Sequence, residues 1–364
     1  MAQYRLLFVS TPVGPLGSGL GGGVELTLVN LCQEFQRRGH LITVVAPKGS
    51  HLPSTPVIEI AGQLQPTAHT QTRATPIVMP DNSVLGHMWN YVRHSWGRYD
   101  LVINFAYDWL PFYLTPFLSS LSGEGGAQSA IAHFITMGSL TQAMDTVMAE
   151  VARQFPDRLG VYTQTQAQTF PFAQACRCLG SAIDLERYHF GAEPEPYLAW
   201  LGRISPEKGL EDAVAAADQT GLPLKILGKL EDIAYWESIR ADYPQAPIEY
   251  LGFLETDPLQ AVLRQAQALL MTPRWVEAFG NVAIEAMACG VPVIAYCRGG
   301  PAEIVRSGQT GWLVEPDSVP GLVQAIGQIN QLDRQACRYQ AETEYSLRAL
   351  GDRFEAWFES MLAH

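Results

Sequence analysis

The stretch YLAWLGRISPEKGLEDAVAAADQTGLPLKILG, Tyr197 to Gly228, decides the fold. YLAWLGRI is a short apolar run of the kind that a strand covered on both faces needs. SPEKG is a loop, LEDAVAAADQTG has the composition and length of a helix, and LPLKILG is a second buried strand. Strand, helix and strand in that order make a βαβ unit with two parallel strands. The same order opens the chain. YRLLFVS is followed by the glycine loop of GSGLGGGVELTLVNLCQEFQRRGHLITVVAP, a helix with Leu26, Val29, Leu31 and Phe35 near one stripe, a stop at Gly39, and the strand LITVVA. One grammar started twice predicts an α/β chain of two Rossmann-like, doubly wound domains in tandem.

The 364 residues are too many for one ordinary core and suit two domains with a cleft between them. We place the first at 1–183 and the second at 184–344. DLERYHFGAEPEPY, Asp184 to Tyr197, reads as the linker. A final amphipathic helix, about 345–364, carries the stripe Phe354, Trp357, Phe358 and Leu362, with the first domain as its expected partner. The segment from about Lys48 to Asn82 reads as a long loop.

A net charge of −12 argues against nonspecific binding to nucleic acid or to an anionic membrane, so any phosphate must be held by a local site. The six cysteines lack CxxC spacing and read as reduced core thiols of a cytoplasmic protein. No apolar run approaches the roughly 20 residues of a membrane helix, and no stable membrane insertion is expected. The first ten residues lead into a glycine loop and read as a strand, not a leader.

Several motifs could carry chemistry. The first glycine loop would bring backbone N–H groups toward a phosphate at a helix N-terminus, or serve only a tight turn. It fits a dinucleotide fingerprint loosely, because no acidic residue ends the next strand. Arg203 and Lys208, in the loop leaving the first strand of the second domain, suit a diphosphate. In EAFGNVAIEAMACGVPVIA, Glu277 precedes a helix with Asn281 as its expected N-cap, and Glu285 lies within that helix. Both carboxylates could address one ligand. Gly299, Gly300 and Pro301 form a further glycine turn opening a helix. His133 ends an apolar strand of the first domain. The chain contains no Asp-x-Asp pair, so no metal or other cofactor is expected.

These residues together resemble the retaining glycosyltransferases of family 4. The resemblance runs from GGGVE through GRISPEKG to EAFGNVAIEAMACGVPVIA and GGPAEIVRSGQTGWLVEP. It implies the GT-B architecture, two Rossmann-like domains facing across a cleft, and a nucleotide-sugar donor. By that resemblance Arg203 and Lys208 hold the diphosphate, Gly22 and Gly23 approach it from the first domain, and Glu285 binds the ribose. Glu277 would contact the donor sugar with backbone groups of Phe279, Gly280 and Asn281 nearby, and His133 would meet the sugar near the reacting carbon. The chain departs from the family at TPRWVE, where Arg274 and Trp275 stand in place of a serine that commonly follows the proline.

More narrowly, the opening FVSTPVGPLGSG and INFAYDWLPFYLTPF are similar to a cyanobacterial group that moves glucose from UDP-glucose onto tetrahydrobiopterin. Phe105, Tyr107 and Trp109 are then the expected acceptor-binding surface for a flat pterin, although aromatics in such a segment also serve cores. A glycolipid or polysaccharide acceptor is the alternative. An NAD-dependent oxidoreductase and a non-catalytic nucleotide-sugar sensor are the readings from other classes.

Overall fold

The computed structural model describes residues 3–18, 22–68, 71–121 and 128–362. The chain divides into two compact units, Met1–Gly180 with Leu350–His364, and Ser181–Ala349.

The first unit runs β1 (Arg5–Val9), α1 (Gly23–Arg37), β2 (Leu41–Pro47), β3 (Val57–Ile60), α2 (Val84–His94) and β4 (Leu101–Asn104). It continues with α3 (Trp109–Ser119), β5 (Ala130–Phe134), α4 (Gln142–Gln154), β6 (Leu159–Val161), α5 (Gln164–Ala167) and β7 (Cys176–Cys178). Among the described residues these strands form one parallel sheet in the order β3-β2-β1-β4-β5-β6-β7. Leu6 to Val9 and Leu101 to Asn104 are buried throughout, as strands with helices on both faces must be. The order reverses between β1 and β4. That is the switch point at which an open parallel sheet leaves a crevice beyond its strand ends.

Two expectations for this unit need correction. The segment read as one long loop contains β3, a half-exposed edge strand in register with β2 from Val44↔Val57 to Pro47↔Ile60. Four residues with one side in solvent give too weak a pattern to read alone. On α1 the buried face is Thr27, Leu28, Asn30, Leu31, Cys32, Glu34 and Phe35, with Leu26 and Val29 only half-buried. Glu34 can be buried there because Arg37 and Arg38 pair with it at 2.7 and 2.8 Å.

The second unit runs β8 (Leu198–Leu201), α6 (Leu210–Thr220), β9 (Leu224–Leu227), α7 (Ile233–Asp242), β10 (Ile248–Gly252), α8 (Thr256–Leu263) and β11 (Ala268–Met271). Then follow α9 (Asn281–Ala288), β12 (Val293–Tyr296), α10 (Pro301–Ile304), β13 (Gly311–Val314), α11 (Val319–Ile326) and α12 (Arg334–Glu344). The sheet, again parallel, is ordered β10-β9-β8-β11-β12-β13, with its switch point between β8 and β11. The segment read as a linker is packed into this unit. Tyr188 is buried, and its carbonyl accepts from Arg338 at 2.7 Å.

The last helix, α13 (Leu347–Leu362), belongs from Leu350 onward to the first unit. Phe354 meets Phe134 with ring centroids 5.2 Å apart, and Phe358 meets Phe35 at 5.2 Å. The Trp357 indole N–H donates to Asp157 O at 2.6 Å. Met361, not Leu362, completes the buried stripe. The cysteines are mixed: Cys32, Cys289 and Cys337 are buried, Cys176 is half-buried, and Cys178 and Cys297 are exposed, all as free thiols. The expectation of core thiols therefore holds for half of them.

Candidate functional site

The crevice of the second unit is built by the loops that leave β8 and β11. After β8, Gly202 to Ser205 lead into a single 3₁₀ turn, Pro206–Lys208, that ends on Gly209 at φ +64°. A side chain at Gly209 would place its Cβ 2.1 Å from Thr272 O, so glycine lets the two loops touch. Thr272 Oγ1 seals the contact by donating to Gly209 O at 2.7 Å, and the Arg274 N–H donates to Glu207 O at 2.9 Å.

This brings Lys208 and Glu277 together: Nζ lies 2.6 Å from Oε2, with both side chains about four-fifths buried. The Trp275 indole N–H donates to the same oxygen at 3.0 Å, and its ring lies 5.0 Å from the ammonium. Burial pushes the Glu277 carboxyl up, but the Lys208 charge and the hydrogen bonds from Lys208 and Trp275 outweigh it and hold it below the ordinary carboxylate range. Arg203, in the loop from β8, pairs with Glu207 at 2.9 Å and with Glu231. Two cations and an ionised carboxylate thus stand at the ends of β8 and β11.

The turn after β12 supports Glu277 from below. The Gly300 N–H donates to Glu277 O at 2.7 Å. A Cβ at Gly299 would lie 2.5 Å from the Glu277 backbone, and one at Gly300 would lie 2.1 Å from Phe279 O. These glycines, expected as a ligand turn, have a packing reason of their own. Gly280, at φ +98°, is the N-cap of α9, and Asn281 is its first residue, so the expected Asn281 cap is corrected. A left-handed residue is needed where the loop turns into the helix over Met271 and Pro301, and only glycine takes it cheaply. Phe279 is buried against Tyr345. Glu285 sits one turn into α9 and accepts from the Tyr188 hydroxyl at 3.0 Å. Burial pushes its carboxyl up, and the Tyr188 hydrogen bond draws it part of the way back.

In the first unit, His133 lies at the end of β5, fully enclosed. Asn104 Nδ2 donates to its Nδ1 at 3.2 Å, which leaves the proton on Nε2, 2.8 Å from Thr115 Oγ1. The ring stacks on Phe112 at 4.3 Å. Burial, with Arg158 adding to it, lowers the imidazole to about 3, so it is neutral at physiological pH. The structure makes His133 an anchor of β4, β5 and α3 and gives it no open face for a sugar, contrary to the expectation. Phe105 is likewise core, packed between Phe8 and Phe134. Tyr107 and Trp109 are half-buried, and Trp109 stacks on Tyr113 at 4.3 Å. Gly22 and Gly23 stand at the start of α1, and among the described residues nothing lies within 4 Å of where a Gly22 Cβ would be. The loop's Gly19 to Gly21 lie outside the described residues. Among the described residues no three His, Cys, Asp or Glu side chains cluster as metal ligands.

Residues 185–344 match the family model "Glycosyl transferases group 1". The matched stretch lies within the second unit, Ser181–Ala349. The chain is 28% identical over 256 residues to a glycogen synthase of Mycobacterium tuberculosis, covering 64% of this chain and 60% of that one. It therefore spans about 60% of that relative's length. Among solved structures, sucrose-phosphate synthase of Thermosynechococcus elongatus superposes with a TM-score of 0.77 at 18% identity, covering 99% and 100% of the two chains. The Anabaena protein HepE in complex with UDP and glucose gives 0.75 at 18%, over 98% and 100%. These likenesses establish the GT-B fold for the two sheets.

Within the second unit, sequence reading missed three residues that the fold brings to this place. Tyr188 lay in a supposed linker, and nothing local links it to Glu285. Glu231 follows β9 and reaches Arg203 only in the folded sheet. Trp275 was seen as a departure from the family, yet its partner two residues on, Glu277, was the available signal.

Proposed function

We propose that the protein is a retaining hexosyltransferase that moves glucose from UDP-glucose to a hydroxyl of tetrahydrobiopterin or a related pterin, without a metal, in the cytoplasm. The observation that carries the transferase reading is the buried Lys208–Glu277 pair, with Arg203 beside it, at the β8/β11 switch point. Arg203 and Lys208 offset the charge that a departing UDP develops, and preorganised donors in a half-buried site do so strongly. Glu285 accepts from ribose hydroxyls in place of Tyr188, and Glu277 accepts from a sugar hydroxyl while its charge stays matched by Lys208. The C1–O bond to the phosphate breaks with oxocarbenium character, and the acceptor oxygen bonds C1 on the same face. The acceptor proton passes to the departing phosphate oxygen, so no protein nucleophile is required. Support for UDP and glucose comes from HepE, the structural neighbour solved with both.

A glycolipid or polysaccharide acceptor is the second reading. Tyr113 and Phe117, 45% and 55% exposed along α3, favour it as a face for such a ligand. The test is to incubate the protein with a panel of nucleotide sugars and reduced pterins, and to read products by mass and anomeric configuration by NMR. Hexose added to a pterin with retained configuration supports the proposal. Transfer to lipid or glycan alone overturns the acceptor, and tight NAD binding without UDP binding overturns the class.

A further inference from the structure

The crevice at the β1/β4 switch point of the first unit holds a polar pair that the transfer chemistry above does not use. Asp108 follows β4 and caps α3, its Oδ1 accepting from the Leu110 N–H at 3.3 Å. Gln65 arrives from the segment after β3. Its main-chain N–H donates to Pro12 O at 3.0 Å, in the loop that leaves β1, and its side-chain amide stands beside the Asp108 carboxyl, close enough to favour its charge. The pair therefore forms where the ends of β1 and β4 part, which is where open parallel sheets take ligands.

Gln65 is only 8% exposed. Its Nε2 donates to the Met79 sulfur at 4.0 Å. Its Oε1 is buried with no hydrogen-bond partner among the described residues. A buried amide oxygen in that state is unfavourable and calls for a donor that the described residues do not supply. Burial also pushes the Asp108 carboxyl up to about 6, against the N–H groups of Leu110 and Trp109 and the Gln65 amide that favour its charge. Both members are thus unfavourable to the fold as they stand, a pattern common where stability gives way to function.

We propose that Asp108 and Gln65 recognise the acceptor by its edge, taking a flat heterocycle that presents a ring N–H beside an exocyclic amine, as the amino-pyrimidinone edge of a pterin does. The Asp108 carboxylate accepts the two adjacent N–H groups, and Gln65 Oε1 accepts a remaining amine hydrogen. A carboxylate and an amide oxygen both accept, which suits an edge made of N–H donors better than a sugar hydroxyl, which must also accept. Tyr107 and Trp109, next to Asp108 in the chain and half-buried, add flat apolar surface. The inference rests on the pterin reading of the function and names the residues behind it.

The test titrates full-length protein with biopterin and with its 2-oxo analogue, which lacks the exocyclic amine, following pterin fluorescence. Wild type, Asp108→Asn and Gln65→Leu are compared, with UDP affinity measured on each sample as a sign of an intact second unit. Asn keeps the cap of α3, and Gln65→Leu leaves that cap untouched. Expected are at least tenfold weaker biopterin binding by Asp108→Asn, several-fold weaker by Gln65→Leu, and at least tenfold weaker binding of the 2-oxo analogue by wild type. Equal biopterin affinity in wild type and both variants overturns the inference alone and leaves Gln65 Oε1 to a buried water. Failure of wild type to bind biopterin at all overturns the acceptor reading itself.

Discussion

Lys208, Glu277 and Trp275 show how a half-buried charge is kept. Each removes a cost from another: the ammonium offsets the carboxylate, and the indole N–H fills one of its lone pairs. If the pair acts on the donor, Lys208→Ala and Glu277→Ala should each lower turnover by on the order of a hundredfold or more in a steady-state assay. Near-normal rates would remove them from the mechanism. Trp275→Phe keeps the ring and loses the donor. Glu277, held low partly by that bond, should then titrate higher, moving the acid limb of the kcat/KM profile up. An unmoved limb would leave Trp275 as packing.

Asp108 behaves in the opposite sense. Its folded pKa of about 6 lies above the ordinary value of 3.8, so the folded state holds the proton more tightly. The stability this group contributes is fully present below about pH 4 and is lost as pH rises to about 6. Above that the ionised carboxyl costs roughly 2–3 kcal/mol. Asp108→Asn should therefore raise the melting temperature of the first unit by several degrees at pH 7.5, with the gain vanishing toward pH 4 in calorimetry. The identities of Arg203, Lys208, Glu277 and Glu285 as candidates were legible because charged residues in otherwise apolar motifs stand out. Their pairing was not, since Lys208 and Glu277 are far apart in the chain and meet only across two loops.

At the level of elements, the glycines separate backbone need from crowding. Gly300 has an ordinary helical φ, yet an added Cβ would lie 2.1 Å from Phe279 O. Gly300→Ala should displace the Glu277 loop, lowering turnover at least tenfold and the second unit's stability by about 2–4 kcal/mol. Gly221, at φ +70° with open space around it, provides the contrast. Gly221→Ala should cost about 1 kcal/mol and leave turnover unchanged. Strands buried on both faces and helices between glycine stops were legible from short-range pattern. The edge strand β3 and the Gly280 cap were not, because one depends on its neighbour β2 and the other on the direction in which a loop enters its helix.

At the level of the molecule, α13 returns the end of the chain to the first unit, where Trp357 is fully buried and its ring lies over Gly160. Trp357→Ala should destabilise that unit by about 3–5 kcal/mol while UDP affinity holds, read as a fall in one calorimetric transition only. A fall in both would mean that the units do not melt separately. The sequence by itself determined two parallel α/β units, their repeated strand–helix–strand order and the motifs at their loops, because local period, glycine stops and charge within apolar runs are properties of neighbouring residues. The tertiary structure alone decided that His133 is an enclosed anchor, that Tyr188 meets Glu285, that Lys208 is held by Glu277 and Trp275, and that Gln65 faces Asp108. Each of these depends on which strand lies beside which. That order is set by burying both sheets, and side chains distant in the chain become partners only once it is fixed.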